Sequence, residues 1–138
     1  MIVYLDTSVV LRKLLHQKGL IHGWGSWDRV YASELLWLES MRVLDRLRIE
    51  QALNDSELSR VVKQLNHVRS ALFEIPLQPA IVERASQSFS TVIRTLDALH
   101  LATALKLRET REKELHFLTH DKQLGLAAEI LGFPVAGI

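Results

Sequence analysis

Two rhythms of apolar and polar residues divide this chain. Short unbroken apolar runs alternate with longer stretches in which apolar residues return every third or fourth place. Ile2–Leu5 is apolar throughout, rich in β-forming residues and too short for a helix, as a strand covered on both faces should be. Residues 9–15 follow as a short helix with Thr7 or Ser8 as cap and Arg12 and Lys13 on its wet side. Residues 16–29 carry Gly19, Gly23 and Gly25 among Trp24 and Trp27 and predict a loop or broken helix, leading to a short second strand at 30–32. Ser33 caps a long helix to about residue 50, with Leu36, Val43, Leu44 and Leu47 inward. Asn54 opens another, to about residue 72, with Leu58, Val61, Val62, Leu65 and Val68 inward and Arg60, Lys63, His67 and Arg69 on a basic outer face. A strand at 73–77 and a helix at 79–92 come next, the latter with Pro79 in its first turn.

The stretch from Thr95 to Leu107 stands apart because its inward face is small. Ala98, Leu101, Ala102 and Leu105 recur at i, i+3, i+4 and i+7, so the helix can lie close against a neighbouring layer, with Thr95 as its cap and Asp97 in its first turn. A fourth strand at 115–119, a helix at 122–131 ended by Gly132, and a fifth strand at 134–137 complete the chain. Strands alternating with helices predict an α/β fold. The expectation is a single three-layer domain over residues 1–138, with a central, mainly parallel five-stranded sheet flanked by helices.

Composition removes several chemistries. The chain has 138 residues, an ordinary size for one domain, and its balance of 48% hydrophobic and 24% charged residues is globular rather than disordered. With no cysteine there is no disulfide, thiolate zinc site or cysteine nucleophile, and the sequence fits a cytoplasmic protein. No apolar run is long enough to span a bilayer. The net charge of +1 does not itself announce a nucleic-acid binder. Were four acids gathered in one metal site, however, the remaining surface would be basic by four charges more.

Such a gathering follows from the topology. In a parallel sheet, ligands collect beyond the carboxyl ends of the strands, near the point where the winding reverses. Asp6 and Asp121 each follow a strand directly, and Glu39 lies in the second turn of the helix leaving the second strand. A helix that feeds a parallel strand must begin at the carboxyl edge, which brings Asp97 to the same rim. Two such carboxylates about 4 Å apart repel by about 4 kcal/mol at an effective dielectric near 20. Protons, basic side chains or hard dications must compensate, and an all-oxygen cluster suits Mg²⁺ or Mn²⁺, which bind phosphates and activate water.

The segments Asp6-Thr7-Ser8, Ser33 to Glu39 with Arg42 following, Leu96 to Ala104, and Thr119-His120-Asp121 together resemble the PIN-domain family, and more narrowly its VapC-type ribonuclease toxins of toxin-antitoxin operons. The resemblance runs nearly end to end. It implies a Mg²⁺- or Mn²⁺-dependent endoribonuclease with Asp6, Glu39, Asp97 and Asp121 as an acidic quartet, RNA as substrate, an antitoxin as inhibitory partner, and a homodimer. Thr7 and Thr119 match hydroxyl positions that support the acids or metal-bound water, Ser8 stands where many relatives have asparagine, and Arg42 is expected to orient Glu39. His100 and His120 flank the acids and are read as packing residues; the tryptophans are expected to pack a partner or the core in preference to stacking bases.

A non-catalytic PIN-fold binding module, or a DNA or structure-specific nuclease, is the alternative reading. A receiver-type phosphoacceptor would need a lysine after the last strand, and a haloacid-dehalogenase-type phosphatase an aspartate where Ser8 stands.

Overall fold

In the computed structural model, which describes residues 1–138, strands β1 (Ile2–Leu5), β2 (Arg29–Ser33), β3 (Phe73–Ile75), β4 (Leu115–Leu118) and β5 (Val135–Ala136) form one sheet in the order β3-β2-β1-β4-β5. Every neighbouring pair is parallel, with Leu5 level with Leu118 and Tyr4 level with Tyr31 and Phe117. The chain winds outward from β1 to β3, then crosses to the other side of β1 for β4 and β5. The winding therefore reverses between β1 and β4, and a crevice opens beyond their carboxyl ends.

Side chains alternate across the pleat and split the core in two. Val3 and Leu5 of β1, with Leu118 of β4, face a layer built from α1 (Thr7–Leu14), α2 (Leu35–Ile49) and α3 (Asp55–Ser70); Val9, Val10, Leu36, Leu44, Val61 and Leu65 are all buried there. Tyr4 and Phe117 point the other way, to α5 (Thr95–Thr110) and α6 (Lys122–Ile130), where Leu101, Ala104, Leu124 and Ala128 are buried. A short α4 (Pro79–Ala85) packs on α5.

The caps show why these segments form helices. Asn54 and Glu57 make a reciprocal capping box at the start of α3: the Glu57 N–H donates to the Asn54 side chain at 2.8 Å and the Asn54 N–H to Glu57 at 3.4 Å. Asp6 itself caps α1 and Asp121 caps α6, so two acids foreseen only for chemistry also close helix ends. Thr7 is thus the first residue of α1, and neither it nor Ser8 is the cap. Thr95 likewise is the first residue of α5; Arg94 holds the cap position with no side-chain hydrogen bond. The helix expected over 79–92 ends at Ala85. At its end the Ser86 hydroxyl donates to the Val82 carbonyl at 2.8 Å.

Buried polar groups are paired at the opposite, amino edge. Glu112, nearly enclosed, accepts from the Tyr31 hydroxyl and from Arg29 Nη1, each at 2.6 Å, which ties the end of α5 to β2. The tryptophan loop packs inward: Trp24 and Trp27 meet edge to face at 5.5 Å and lie against the core beneath α1 and α3.

The small inward face of α5 makes a quantitative expectation. Leu101→Ala, at a fully enclosed position, should destabilise the protein by about 2–5 kcal/mol, whereas Leu96→Ala on the exposed side of the same helix should stay within about 0.5 kcal/mol. Urea denaturation, read as a shift in midpoint at unchanged slope, distinguishes the two.

Candidate active site

The crevice between β1 and β4 receives Asp6 directly from the end of β1. Its Oδ2 accepts from Ser8 Oγ at 2.5 Å, from Thr119 Oγ1 at 2.9 Å and from the Ser8 N–H at 3.3 Å. Thr119, at the end of β4, does two things at once: its hydroxyl donates to Asp6 and accepts the Asp121 N–H at 3.0 Å. Ser8 also links the two strand ends, because its hydroxyl accepts the His120 N–H at 3.0 Å. Two hydroxyls thus lace the loop after β1 to the loop after β4. A serine at position 8 therefore serves the site through its hydroxyl.

Glu39 enters from the second turn of α2. Its Oε1 accepts from Thr7 Oγ1 at 2.8 Å and meets His100 Nε2 at 2.6 Å. Arg42 does not orient it, contrary to the expectation from sequence. The arginine guanidinium stands on the solvent side of α2, 3.4 Å from Asp45, while Glu39 turns inward toward α5. A residue one turn away on a helix is a neighbour only if both side chains lean the same way, and here a buried imidazole draws Glu39 in.

His100, read from the sequence as a packing residue, stands among the acids. It is 1% exposed; Nδ1 is hydrogen-bonded to the Tyr4 hydroxyl at 2.8 Å, and Nε2 faces Glu39 and also lies 3.6 Å from Asp6 Oδ1. Burial alone would depress its pKa; the hydrogen bond to Glu39 and the charges of Asp6, Glu39 and Asp97 outweigh that and raise it. Burial would raise Glu39 in turn, but the bond to His100, its charge and the Thr7 hydroxyl hold it below the ordinary glutamate range. Burial, then Asp6, with Glu39 adding to them, push the Tyr4 phenol well up, so it stays neutral. The signal in the sequence was the spacing Asp97 to His100, three residues on one helix face, which points both at the same rim.

Asp97 has no such partner. It sits half-buried in the first turn of α5, and its carboxyl is raised above the usual aspartate range by burial first, then by Asp121, Asp6 and Glu39, against a smaller opposing pull from His100. Asp97 and Asp121 line one open cleft of about 210 Å³ with Arg94 and Gln123. A larger cleft of about 560 Å³ between α4 and α5 holds no carboxylate but shares Val92, Ile93 and Arg94 with the first. His120 Nδ1 donates to the Gly137 carbonyl at 2.7 Å, while its Nε2 is buried without a hydrogen-bond partner. Ser8 and Thr119 thus tie Asp6 to the Asp121 loop, Thr7 and His100 hold Glu39, and Asp97 joins them only by sharing a cleft with Asp121, while Arg42 stands outside.

The sequence matches the PIN domain over residues 3–130. The chain belongs to the PIN-domain family, a family of nucleases. Among solved structures, its fold is similar to that of VapBC2 from Rickettsia felis bound to a DNA fragment from their promoter, with a TM-score of 0.67 at 12% identity over 99% of this chain and 98% of that one. PAE2754 from Pyrobaculum aerophilum is similar at a TM-score of 0.57 and 17% identity, over 91% of this chain and 78% of the other. No curated protein matches it. No helix of this PIN domain is long and apolar enough to cross a membrane.

PIN domains typically act with divalent metal ions, and the donors here are of the right kind: oxygen carboxylates, two of which, Asp97 and Asp121, stand in no ion pair. No three acidic or histidine side chains stand so that they could together enclose an ion. An ion such as Mg²⁺, which keeps several waters and takes one or two carboxylates plus substrate phosphate, needs no such cage.

The coupling of His100 to its acids gives a signed prediction. Because its pKa is raised on folding, the stability it contributes is complete below the ordinary value of 6.5 and is lost as pH rises through the folded value. Denaturation midpoints in chelator should therefore fall with rising pH above about 6.5, and this decline should be absent in His100→Gln. Glu39 acts oppositely, its contribution being lost only as pH falls below the ordinary 4.5. Equal slopes in both proteins above 6.5 would show that the imidazole is not charged by its neighbours.

Proposed function

We propose that this PIN domain is a Mg²⁺- or Mn²⁺-dependent endoribonuclease of the VapC type, inhibited by a protein antitoxin and acting as a homodimer in the cytoplasm. The observation that carries the reading is Asp97: a half-buried carboxylate at a cleft mouth, crowded by three others and left without a cation. Such a cluster is costly to fold unless an ion of opposite charge compensates it. The resemblance of the four acidic segments to VapC-type toxins supports the class, and the similarity of fold to VapBC2 agrees with it.

Asp97 and Asp121, sharing one cleft, would hold the ion directly, with Asp6 and Glu39 reaching it through its waters. When bound, the ion supplies charge neutralisation for the phosphodiester and lowers the pKa of a water nucleophile. The chain's own residues do the rest. Thr119 and Ser8 fix the Asp6 carboxylate by three hydrogen bonds and set its spacing from Asp121. Thr7 and His100 hold Glu39 ionised and pinned through Oε1, leaving Oε2 to face a water or an ion. Arg94 lines the same cleft and offers its guanidinium to a phosphate.

Cleavage of RNA by purified protein with Mn²⁺ should be abolished by chelator and reduced by about 100-fold or more in Asp97→Asn. Thr7→Val, which leaves every carboxylate in place, should cost about 10- to 100-fold. Equal cleavage by wild type and Asp97→Asn would indicate a contaminating nuclease, and cleavage of DNA in preference to RNA would reassign the substrate.

A further inference from the structure

A second groove lies between α1 and α3, and none of the four acids lines it. Lys13 and His16 from the end of α1, and Lys63, Gln64 and His67 from α3, surround an opening of about 380 Å³ whose floor includes the ring of Trp24. No carboxylate lines it. Arg60 stands at its rim with Nη1 3.1 Å from His16 Nε2, so that basic groups contact one another there. Lys13, Lys63 and Arg60 take part in no ion pair of the molecule, whereas Asp45 on α2 is paired with Arg42 and Arg48.

The aromatic floor sets this place apart from a merely solvated basic face. Trp24 is held by Trp27 edge to face at 5.5 Å, and Lys13 Nζ lies over its ring, 5.9 Å from the centre, so a base reaches the ring as the flexible lysine swings aside to a phosphate. Behind it a second hollow of about 230 Å³ opens between Trp24, Trp27 and Val68, and His67 lines both. Cations spaced around a fixed indole face, with imidazoles beside it, are what a single-stranded nucleic acid uses: phosphates take the charges and a base takes the ring. An acidic protein segment would use the charges and leave the indole face without a planar partner.

We infer that the groove between α1 and α3 is a second binding site for single-stranded RNA, with Lys13, Arg60 and Lys63 on the phosphates and Trp24 beneath a base. The inference rests on the reading of the protein as an RNA nuclease. Asp6 caps the same α1 that carries Lys13, about 10 Å further along the helix, so one strand can occupy groove and acids together. The groove then holds substrate that extends beyond the cleaved bond.

The test measures binding of a fluorescent oligouridylate of about 20 nucleotides to full-length protein in chelator, alongside cleavage of the dinucleotide UpU with Mn²⁺. In the double variant Lys13→Ala/Lys63→Ala, affinity for the oligomer should fall about tenfold, and the slope of log affinity against log salt should shrink by about 1.4, the value for two phosphates on a single strand. UpU cleavage should be unchanged. An unchanged affinity and slope would overturn the inference, as would polyglutamate competing with oligouridylate as well as unlabelled RNA does. Groove-dependent binding without cleavage in any metal would uphold the groove while refuting the nuclease reading.

Discussion

The structure turns on the insertion of the His100 ring among the acids. Four carboxylates at one rim repel one another, and at an effective dielectric near 20 a single pair about 4 Å apart costs about 4 kcal/mol, comparable with much of a small domain's net stability. Of the buried residues, His100 is the one base. It bonds Tyr4 on one side and Glu39 on the other, and its charge is within reach of Asp6 and Asp97. The ring offsets part of the repulsion, chiefly for Glu39, and leaves Asp97 exposed to the rest.

This placement depends on how closely α5 meets the sheet. Ala98, Ala102 and Ala104 are buried beside Leu101, and with so little side-chain volume between layers the imidazole reaches the Tyr4 hydroxyl in the central strand. The switch in winding between β1 and β4 supplies the crevice, and Thr119 and Ser8 stitch its two walls at a fixed spacing. Fold and site are therefore one construction. The same two aspartates that cap α1 and α6 border the crevice, which puts negative charge at two helix N-termini where the dipoles favour it.

Much of this was legible from residues alone. The apolar run at 2–5, the strand expected at 115–119, the periodic helices and the order of elements led to the parallel sheet, and the rule for its carboxyl edge led to Asp6, Glu39, Asp97 and Asp121. Side-chain direction was harder to read. Glu39 and Arg42 are suitably spaced to pair, yet the pull of a partner 61 residues away decides which way Glu39 leans. His100 looked like core because its helix neighbours are core. A histidine shares their burial, but with two ring nitrogens it also requires polar partners, and those come from β1 and α2, out of sight of local pattern.

The central claim is that Asp97 is held at a cost to stability which a dication relieves. Thermal unfolding of wild type and Asp97→Asn, each in chelator and in Mn²⁺, tests it most directly, because an ion that binds only the folded state raises the transition by mass action. The account predicts that Asp97→Asn unfolds at a higher temperature than wild type in chelator, and that Mn²⁺ raises wild type but not the variant. A variant less stable than wild type in chelator, with the Mn²⁺ increment intact, would contradict it.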